Sequence, residues 1–362
     1  FSQINTAEYM LKSGESIFYF DDDMKKATKQ KADYYLITKL DANGISVNGA
    51  KTYYKSGELR DTIEKLIYLD VNDGYKSKLD GNYKQYYKSG NISREFNYSN
   101  DVRVGIQKTF YESGKLKSEW KAINGEVDGK YREYYESGKI KVIENWKMGI
   151  QLDYQSFHEN GNTQITYKYE NGKINGVWNS FHENGKRKQD ANFVDGERDG
   201  LLRDFDINGN LSFISKWEKG KKYFEETFYP SGSIKASYAI SEGEFDGEYI
   251  SYHENGNIHV NVLYKDGKYV GFRKIYNKNG LLKSDEFWID DKVNDWRFYD
   301  DSGELVFEVL DRKYSGFPNS EGWWVQRLNK DFEVIFEDSE LEDQEIAYKR
   351  FMFFKNGKGY LE

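Results

Sequence analysis

Glycines preceded by Ser or Asn recur along this chain at nearly constant intervals, and this period constrains the fold more than any other feature. From Gly90 onward the intervals are 24, 24 and 23 residues, in three successive rounds. A tight turn that matches the twist of its two strands needs positive φ, which Gly adopts without strain. The chain is therefore predicted to be a repeat protein whose unit is a β-hairpin of 23–24 residues. These first-turn glycines are Gly57, Gly90, Gly114, Gly138, Gly161, Gly185, Gly209, Gly232, Gly256, Gly280 and Gly303.

Aromatic and aliphatic residues keep fixed distances from these glycines. The residue four positions before each glycine is always Tyr or Phe, and we expect it to form a buried core row. Leu or Ile usually follows the glycine by two positions, as Ile140 does, and an aromatic residue often follows it by eight, as Trp146 does. This even spacing predicts that the two later positions share one face of a strand.

A second turn lies within most repeats. It is marked by Asn124-Gly125, Asn171-Gly172, Asp195-Gly196 and Asp266-Gly267, each followed four residues later by another Gly. Each repeat then holds two strands and two turns, and stacked hairpins pair their edges. The predicted fold class is all-β: an elongated, twisted, single antiparallel sheet built from tandem hairpins.

A longer period of three hairpins is superimposed on the first. Trp146, Trp217 and Trp288 lie 71 residues apart, and the later glycine of the second turn is replaced by Asp153, Phe224 and Asp295 in these repeats. Duplication of a three-hairpin block and a coil set by the Trp positions would both produce this pattern.

The ends of the chain depart from the repeat, as terminal repeats must because they close an open sheet edge. We expect a degenerate capping segment over residues 1–44, the hairpin array over 45–305 and irregular capping hairpins over 306–362. The pairs Trp323 to Phe336 and Tyr348 to Tyr360 mark the last two hairpins.

Charge and composition restrict the kinds of partner that the chain is expected to bind. The net charge is −8, so neither nucleic acid nor an anionic membrane is attracted over long range, and a neutral or basic protein partner fits better. No apolar run is long enough to span a membrane as a helix, so no membrane insertion is expected. The chain has no Cys, which removes disulfides, thiolate catalysis and zinc-thiolate sites. We expect the cell envelope or the secreted space rather than the cytoplasm.

No catalytic or cofactor motif stands out. His158, His182 and His253 each precede a turn glycine by three residues, but equivalent residues of neighbouring repeats are about 10 Å apart, too far for one zinc ion. The acidic runs 21–23 and 290–291 lack the spacing of a calcium loop and are expected to be turns. We therefore expect no metal, no cofactor and no enzymatic activity.

The hairpin segments resemble a known family. The runs Tyr134 to Ile140 and Trp178 to Lys186 are similar to the bacterial variant of the MORN repeat, found in YwqK-family antitoxin components. This resemblance, over roughly residues 45–305, implies an extended, curved sheet used for binding and suggests toxin neutralisation as a task. The Tyr-Tyr-Glu-Ser-Gly turn differs from the eukaryotic pattern, so lipid-binding and kinase-scaffold roles are not carried over.

The leading hypothesis is a non-enzymatic scaffold that binds a protein, such as a toxin or a surface receptor, in an antitoxin or immunity role. A cell-surface or secreted glycan-binding adhesion protein is the alternative. The position three before the turn glycine varies between Tyr and His, and we expect a position that changes polarity to be free of the core. The predicted partner face is Tyr87, Tyr111, Tyr135, His158, His182, Tyr229 and His253.

Overall fold

The glycine period corresponds to antiparallel strands in the computed structural model, which describes residues 9–10, 14–289, 292–311, 323–328 and 334–341. No α-helix occurs in this described part of the chain, and the hairpin architecture predicted from the repeat is confirmed. The chain forms two units, Phe1–Gly185 and Lys186–Glu362.

The first unit is an antiparallel sheet of consecutive hairpins, with one short 3-10 turn at Gly74–Lys76. Its strands are β1 Tyr9–Met10, β2 Ser16–Phe20, β3 Tyr34–Leu40, β4 Ser46–Tyr54, β5 Leu59–Tyr68, β6 Lys78–Tyr86, β7 Ile92–Ser99, β8 Val102–Arg103, β9 Gly105–Phe110, β10 Leu116–Ile123, β11 Glu126–Val127, β12 Gly129–Tyr134, β13 Ile140–Lys147, β14 Ile150–Phe157, β15 Thr163–Glu170 and β16 Lys173–Phe181.

The second unit continues the same hairpin pattern. Its strands are β17 Arg187–Val194, β18 Glu197–Phe205, β19 Leu211–Glu218, β20 Lys221–Phe228, β21 Ile234–Ser241, β22 Glu244–Tyr252, β23 Ile258–Lys265, β24 Lys268–Tyr276, β25 Leu282–Ile289, β26 Lys292–Tyr299, β27 Leu305–Asp311, β28 Trp323–Leu328 and β29 Val334–Leu341. The predicted hairpin from Trp323 to Phe336 is confirmed by the pairing of β28 with β29. The predicted hairpin from Tyr348 to Tyr360 lies outside the described residues.

The first turn of each repeat ends in a left-handed glycine. In the turn at Gly114, its N–H donates to the carbonyl of Tyr111 (2.8 Å), and the N–H of Tyr111 donates to the carbonyl of Lys115 (2.9 Å). Gly114 has φ of 83°, in the region that favours Gly. The register shifts just after this turn, which is typical of a β-bulge.

This bulge changes which residues share a face. Tyr134 pairs with Ile140, whereas its neighbour Glu133 pairs with Val142, so Lys141 is the extra residue. Adjacent residues on a strand point to opposite faces, and Ile140 and Val142 therefore do so as well. Trp146 follows Val142 by four residues and lies on its face. The prediction that Ile140 and Trp146 share a face is wrong, because even spacing cannot reveal an inserted residue.

The two faces of each sheet differ in chemistry. We call the side that carries Val142 and Trp146 in the first unit, and Trp217 and Trp288 in the second, the aromatic face. The opposite side carries Arg132 in the first unit and Arg203 in the second, and we call it the ion-pair face. Neither sheet has a second layer of strands against it in the described part of the chain.

The aromatic row four before each first-turn glycine is not a buried core. All eleven residues are partly exposed, so the prediction that they are buried is wrong. They lie on the ion-pair face, where the Tyr134 hydroxyl donates to Glu119 Oε1 (3.0 Å). These rings have neighbours beside them but no second layer above them, so they remain half-exposed.

In the repeats, many of the buried residues are small or medium-sized residues of the aromatic face; these are Ser118, Val142, Ser156, Ser180, Ala191, Ser215, Ala236, Val262 and Ser284. Two aromatic residues, Phe96 and Trp296, are also buried. Strands β2 to β5 and the segments after β2 and β5 contribute a continuous apolar cluster that contains Phe18, Phe20, Met24, Leu36, Ala50, Leu66 and Leu69. This cluster joins the predicted capping segment to the first repeats, and the predicted domain boundaries stay predictions.

The 71-residue period has a structural counterpart in the second turn. Ordinary hairpins open into a wide bulge around a left-handed glycine; between the pairs Ala191 with Leu202 and Phe193 with Arg198, that glycine is Gly200, with φ of 97°. In the Trp hairpins the bulge holds one residue, because Asn145 pairs with Asp153 and Trp146 with Gln151. The same short bulge occurs at Trp217 and Trp288. These repeats need no left-handed residue at this point, which explains the missing glycine.

The tip of the second turn has two consecutive residues with positive φ, typical of a type I′ turn. Asn171 and Asp195 precede the glycine in two repeats, with φ of 52° and 50°. Met148 and Lys219 occupy this position in two others, with φ of 48° and 47°. Met and Lys pay a larger steric cost there than Asn does.

The Met148→Asn chain is therefore expected to be more stable than the parent by about 1 kcal/mol, since the side chain of Met148 is 48% exposed and loses little packing. The reverse change at the matched position, Asn171→Met, should destabilise by a similar amount. Urea unfolding followed by circular dichroism measures both. A lower midpoint for Met148→Asn would contradict the turn assignment.

Candidate binding surfaces

The seven residues of the predicted partner face line the edge of the sheets where the first turns lie, and all are half-buried. Six of them reach the next repeat and bond the carbonyl of its aromatic residue four before the glycine. The pairs are Tyr87 to Phe110 (2.8 Å), Tyr111 to Tyr134 (2.6 Å), Tyr135 to Phe157 (2.7 Å), His158 to Phe181 (2.9 Å), Tyr229 to Tyr252 (2.9 Å) and His253 to Tyr276 (2.9 Å).

The alternation between Tyr and His has a structural explanation. A Tyr hydroxyl and a His ring N–H place a donor at a similar distance from the backbone, so both bond the same carbonyl. The variation therefore does not show that the position is free of the fold. Whether these residues also bind a partner stays a prediction, and a partner would meet rings whose polar atoms are already engaged.

Where this position holds Asp or Asn, the side chain bonds its own turn instead. Asp206 Oδ1 accepts from the N–H groups of Asn208 and Asn210, both at 2.8 Å. Asp300 bonds Ser302 and Glu304 in the same way. The hydrogen bond from the N–H of Asn210 is the main cause of the lowered pKa of Asp206. Short acidic side chains thus fix the turn but give up the bond to the next repeat.

A second row of side chains along this edge also bonds the next repeat. The residue directly after the first-turn glycine donates to a carbonyl in the following turn: Asn91 to Glu112 (2.8 Å), Asn162 to Glu183 (2.8 Å) and Asn257 to Lys278 (2.8 Å). Two bonds therefore connect many neighbouring turns. Sequence reasoning missed this role, although donors at two fixed positions beside the glycine were a usable signal.

Among the described residues, the largest group of touching rings lies on the aromatic face of the second unit. It consists of Tyr238, Phe245, Tyr249, Tyr264, Tyr269 and Trp288, which we call the aromatic strip. Its ring centroids are 5.6 Å apart for Tyr238 and Tyr249, and 4.8 Å apart for Tyr269 and Trp288. Phe245 is 36% exposed, and the other five rings are partly exposed.

Charged groups within the strip are paired. Arg273 donates to both oxygens of Glu286 (2.9 and 2.8 Å), and the indole N–H of Trp288 donates to Glu286 Oε2 (3.0 Å). At the other end, Glu225 accepts from Lys222 and from the Tyr238 hydroxyl. Burial raises the pKa of Tyr238, and the hydrogen bond to Glu225 raises it further. The strip therefore carries little unpaired charge.

A smaller concavity lies on the second unit beside Trp217. It has a volume of about 390 Å³ and is lined by Phe193, Arg198, Trp217, Lys219 and Lys221 among others. The Arg198 guanidinium lies 5.0 Å from the centre of the Trp217 ring, in cation–π contact. This hollow is shallow and open, and its cation is engaged with the ring.

Among the described residues, no three His, Cys, Asp or Glu side chains are grouped so that they could hold a metal ion. Residues 290–291 lie outside the described residues. Within the described ranges, no helix has the length and apolar character needed to cross a membrane.

Comparison with known proteins identifies the repeat. Five segments match the family model of the MORN repeat variant: residues 79–100, 103–124, 127–148, 174–195 and 245–266. The segment 79–100 contains β6 without its first residue, the first turn at Gly90 and all of β7, so one match corresponds to one hairpin. No curated protein matched the chain.

Removing one inter-repeat bond should cost stability without changing the sheet. Tyr135→Phe deletes the hydroxyl that bonds Phe157, and we expect a loss of about 1 kcal/mol. Tyr135→His should lose less stability, because a His ring can make this bond, as His158 does to the carbonyl of Phe181 in the next repeat. Tyr223→Phe is the control, since Tyr223 is 49% exposed and its hydroxyl has no hydrogen bond to described residues. Equal urea midpoints for the Tyr135→Phe and Tyr223→Phe chains would contradict this role.

The His pair in the second unit predicts a pH effect. The rings of His253 and His259 are 4.4 Å apart, and burial, followed by the His253 charge, lowers the pKa of His259. The unfolded chain, with an ordinary His pKa of about 6.5, then binds more protons than the folded chain below neutrality, so stability falls on acidification.

We expect the urea midpoint of the parent to fall more than that of His259→Gln between about pH 7.5 and about pH 5.5. Comparing the two chains removes the contribution of the carboxylates, which both share. A fall of the same size in both chains would show that His259 does not contribute.

Proposed function

The chain contains MORN variant repeats, and from this premise we propose that it is a non-enzymatic scaffold whose aromatic strip binds a protein partner. MORN repeats are generally interaction modules, which supports the general class. The observation that carries the proposal is a contiguous set of six partly exposed rings on a sheet that has no second layer in the described residues.

The composition of the strip supports protein binding. Tyr, Trp, Phe and Arg are enriched in the centres of protein interfaces, where they bury much area and lose little conformational entropy. Here Tyr and Trp side chains surround one Arg that is already bonded by Glu286. Neighbouring rings hold each other in place, so binding need not order them first.

Charge supports a neutral or basic partner. The charged side chains of the strip form two ion pairs, Arg273 with Glu286 and Lys222 with Glu225. A partner therefore does not need to supply a counter-charge at the centre of the strip. The chain as a whole is acidic at −8, and this field favours the approach of a basic partner.

The specific role we propose is antitoxin or immunity-type neutralisation, in which the strip covers part of a toxin. A surface receptor is the other protein partner consistent with the strip. Glycan adhesion is a separate outcome, which a glycan array distinguishes.

Changing Phe245 to Ser should weaken binding of the partner at least tenfold, the effect of losing about 1.4 kcal/mol at an interface. The partner is first captured with the full chain from the source cells, identified by mass spectrometry and produced alone. Its affinity for each variant is then measured by biolayer interferometry.

Phe272→Ser is the matched control, because Phe272 is an exposed aromatic residue (49%) on the ion-pair face of the same unit. Its affinity should stay within about threefold of the parent. Equal weakening in both variants, or binding of glycans in place of any protein, would overturn the proposal.

A further inference from the structure

The ion-pair face carries ion pairs at equivalent mid-strand positions of several hairpins. A basic residue six before the first-turn glycine meets an acidic residue five after it, on the same or a neighbouring hairpin. The pairs are Lys84 with Glu95 (3.2 Å) and Arg132 with Glu119 (3.5 Å) in the first unit, and Arg203 with Asp190 (2.8 Å) and Arg297 with Glu308 (3.4 Å) in the second.

These positions are uncharged over three consecutive strands of the first unit. On β14, β15 and β16 the same positions hold Gln155, Thr166 and Asn179, and none of them carries a charge. Register places Gln155 opposite Thr166 and Thr166 opposite Asn179, so the three form a continuous neutral patch. The second unit also has an uncharged set, Ser237, Ile250 and Asn261 on β21 to β23, but its middle residue is apolar, whereas all three residues of the first-unit patch can form hydrogen bonds.

A groove of about 590 Å³ lies over this patch. Its lining includes Gln155, Thr166 and Asn179 on the floor, with Asn145, Asp153 and Val177 beside them. Gln155 and Asn179 take positions that hold Lys or Arg in the charged hairpins, and Thr166 takes one that holds Glu or Asp; all three are shorter than the long charged side chains, which leaves space above the sheet. The volume falls in the range of small-ligand sites, about 300–1,000 Å³.

The polar groups of the groove are incompletely satisfied. Asn145 Nδ2 donates to both oxygens of Asp153 (2.7 and 2.9 Å), which fixes that pair. Asn179 Nδ2 makes one long contact to Thr166 Oγ1 (3.5 Å), and Asn179 Oδ1 is shielded from solvent without a partner among the described residues. Rotating this amide by half a turn would leave its NH₂ unpaired instead. A buried polar atom without a partner costs free energy that a ligand group would recover.

The groove has no net charge to offer a ligand. Asp153 is directly opposite Lys168 in the register of β14 and β15, so the one acidic and one basic side chain beside the floor balance each other. The floor itself is neutral. A charged ligand would lose solvation here without gaining a counter-ion, so the groove favours an uncharged one.

We propose that this groove binds an extended, uncharged segment of peptide. A carboxamide side chain carries the same donor and acceptor groups as a peptide bond, so Gln155 and Asn179 can bond main-chain N–H and C=O groups. Val177 is 54% exposed and gives an apolar contact for a ligand side chain.

The two aromatic residues of the groove lining do not favour a sugar. Tyr154 and Tyr167 line the groove, but they alternate with Gln155 and Thr166 along β14 and β15, so their rings turn to the aromatic face, where they stack 4.9 Å apart. The groove therefore lacks these rings as a platform on which a pyranose could stack.

A phage library of random heptapeptides, selected against the full chain, tests the proposal. The double variant Gln155→Lys/Thr166→Glu restores the ion pair of the Lys84 hairpin, fills the groove and should fold as that hairpin does. We expect selected peptides without charged residues at their centre. By isothermal titration calorimetry, these peptides should bind the double variant at least tenfold more weakly than the parent.

Two further chains separate this site from other surfaces. Lys84→Gln/Glu95→Thr removes an ion pair but leaves Lys108 opposite residue 95, where the groove has Asn179, so it does not copy the neutral floor. Phe245→Ser alters the aromatic strip. Both variants should bind the peptide with parental affinity. Circular dichroism confirms that each chain is folded. The proposal is overturned if no selected peptide distinguishes parent from double variant, if binding peptides are charged at their centre, or if maltotriose or chitotriose binds the parent and not the double variant. The groove and the aromatic strip are altered in separate variants. If the peptide does not bind in the groove, the proposal that the strip binds a protein still stands; if the strip binds no protein, the groove proposal still stands.

Discussion

Each sheet of this protein has to be stable without a second layer of structure to cover its faces. Strand pairing supplies the backbone hydrogen bonds, but apolar side chains have only their neighbours within the sheet to cover them. This constraint accounts for small buried residues of the aromatic face such as Ser215, whose hydroxyl accepts a hydrogen bond from the indole N–H of Trp217 (2.7 Å). It also explains why most of the large rings, including those of the aromatic strip, stay partly exposed.

Side-chain bonds between repeats compensate for the thin cross-section. A conventional core holds its elements by burial, whereas here Tyr135 and Asn162 attach one hairpin to the next along the turn edge. Each of these bonds joins only adjacent repeats. The stability of the chain is therefore expected to be the sum of the stabilities of the single repeats and of the interfaces between neighbouring repeats. The apolar cluster around Phe20 and Leu66 is the exception, and it lies where the array begins.

The sequence predicted the hairpin repeat, both kinds of turn and the irregular end hairpin at Trp323, because glycines and Asn-Gly pairs report directly on backbone conformation. It could not predict which residues share a face, since the extra residue Lys141 in the bulge has no compositional signature. The roles of Tyr135 and His158 were also hidden. Because this position varies between Tyr and His, it was expected to be free of the core. In fact, both side chains place a hydrogen-bond donor at a similar distance from the backbone. The groove at Asn179 became visible only when register aligned it with the charged positions of other hairpins.

The bonds along the turn edge have a direction: in each case a side chain of one repeat donates to a carbonyl of the repeat that follows it in the chain, as Tyr111 does to Tyr134. During synthesis the acceptor leaves the ribosome later than the donor, by 23 residues for this pair. At about 5–20 residues per second this delay is on the order of one to five seconds. Each hairpin is therefore completed by its successor, and assembly from the N-terminus should advance one repeat behind the growing end.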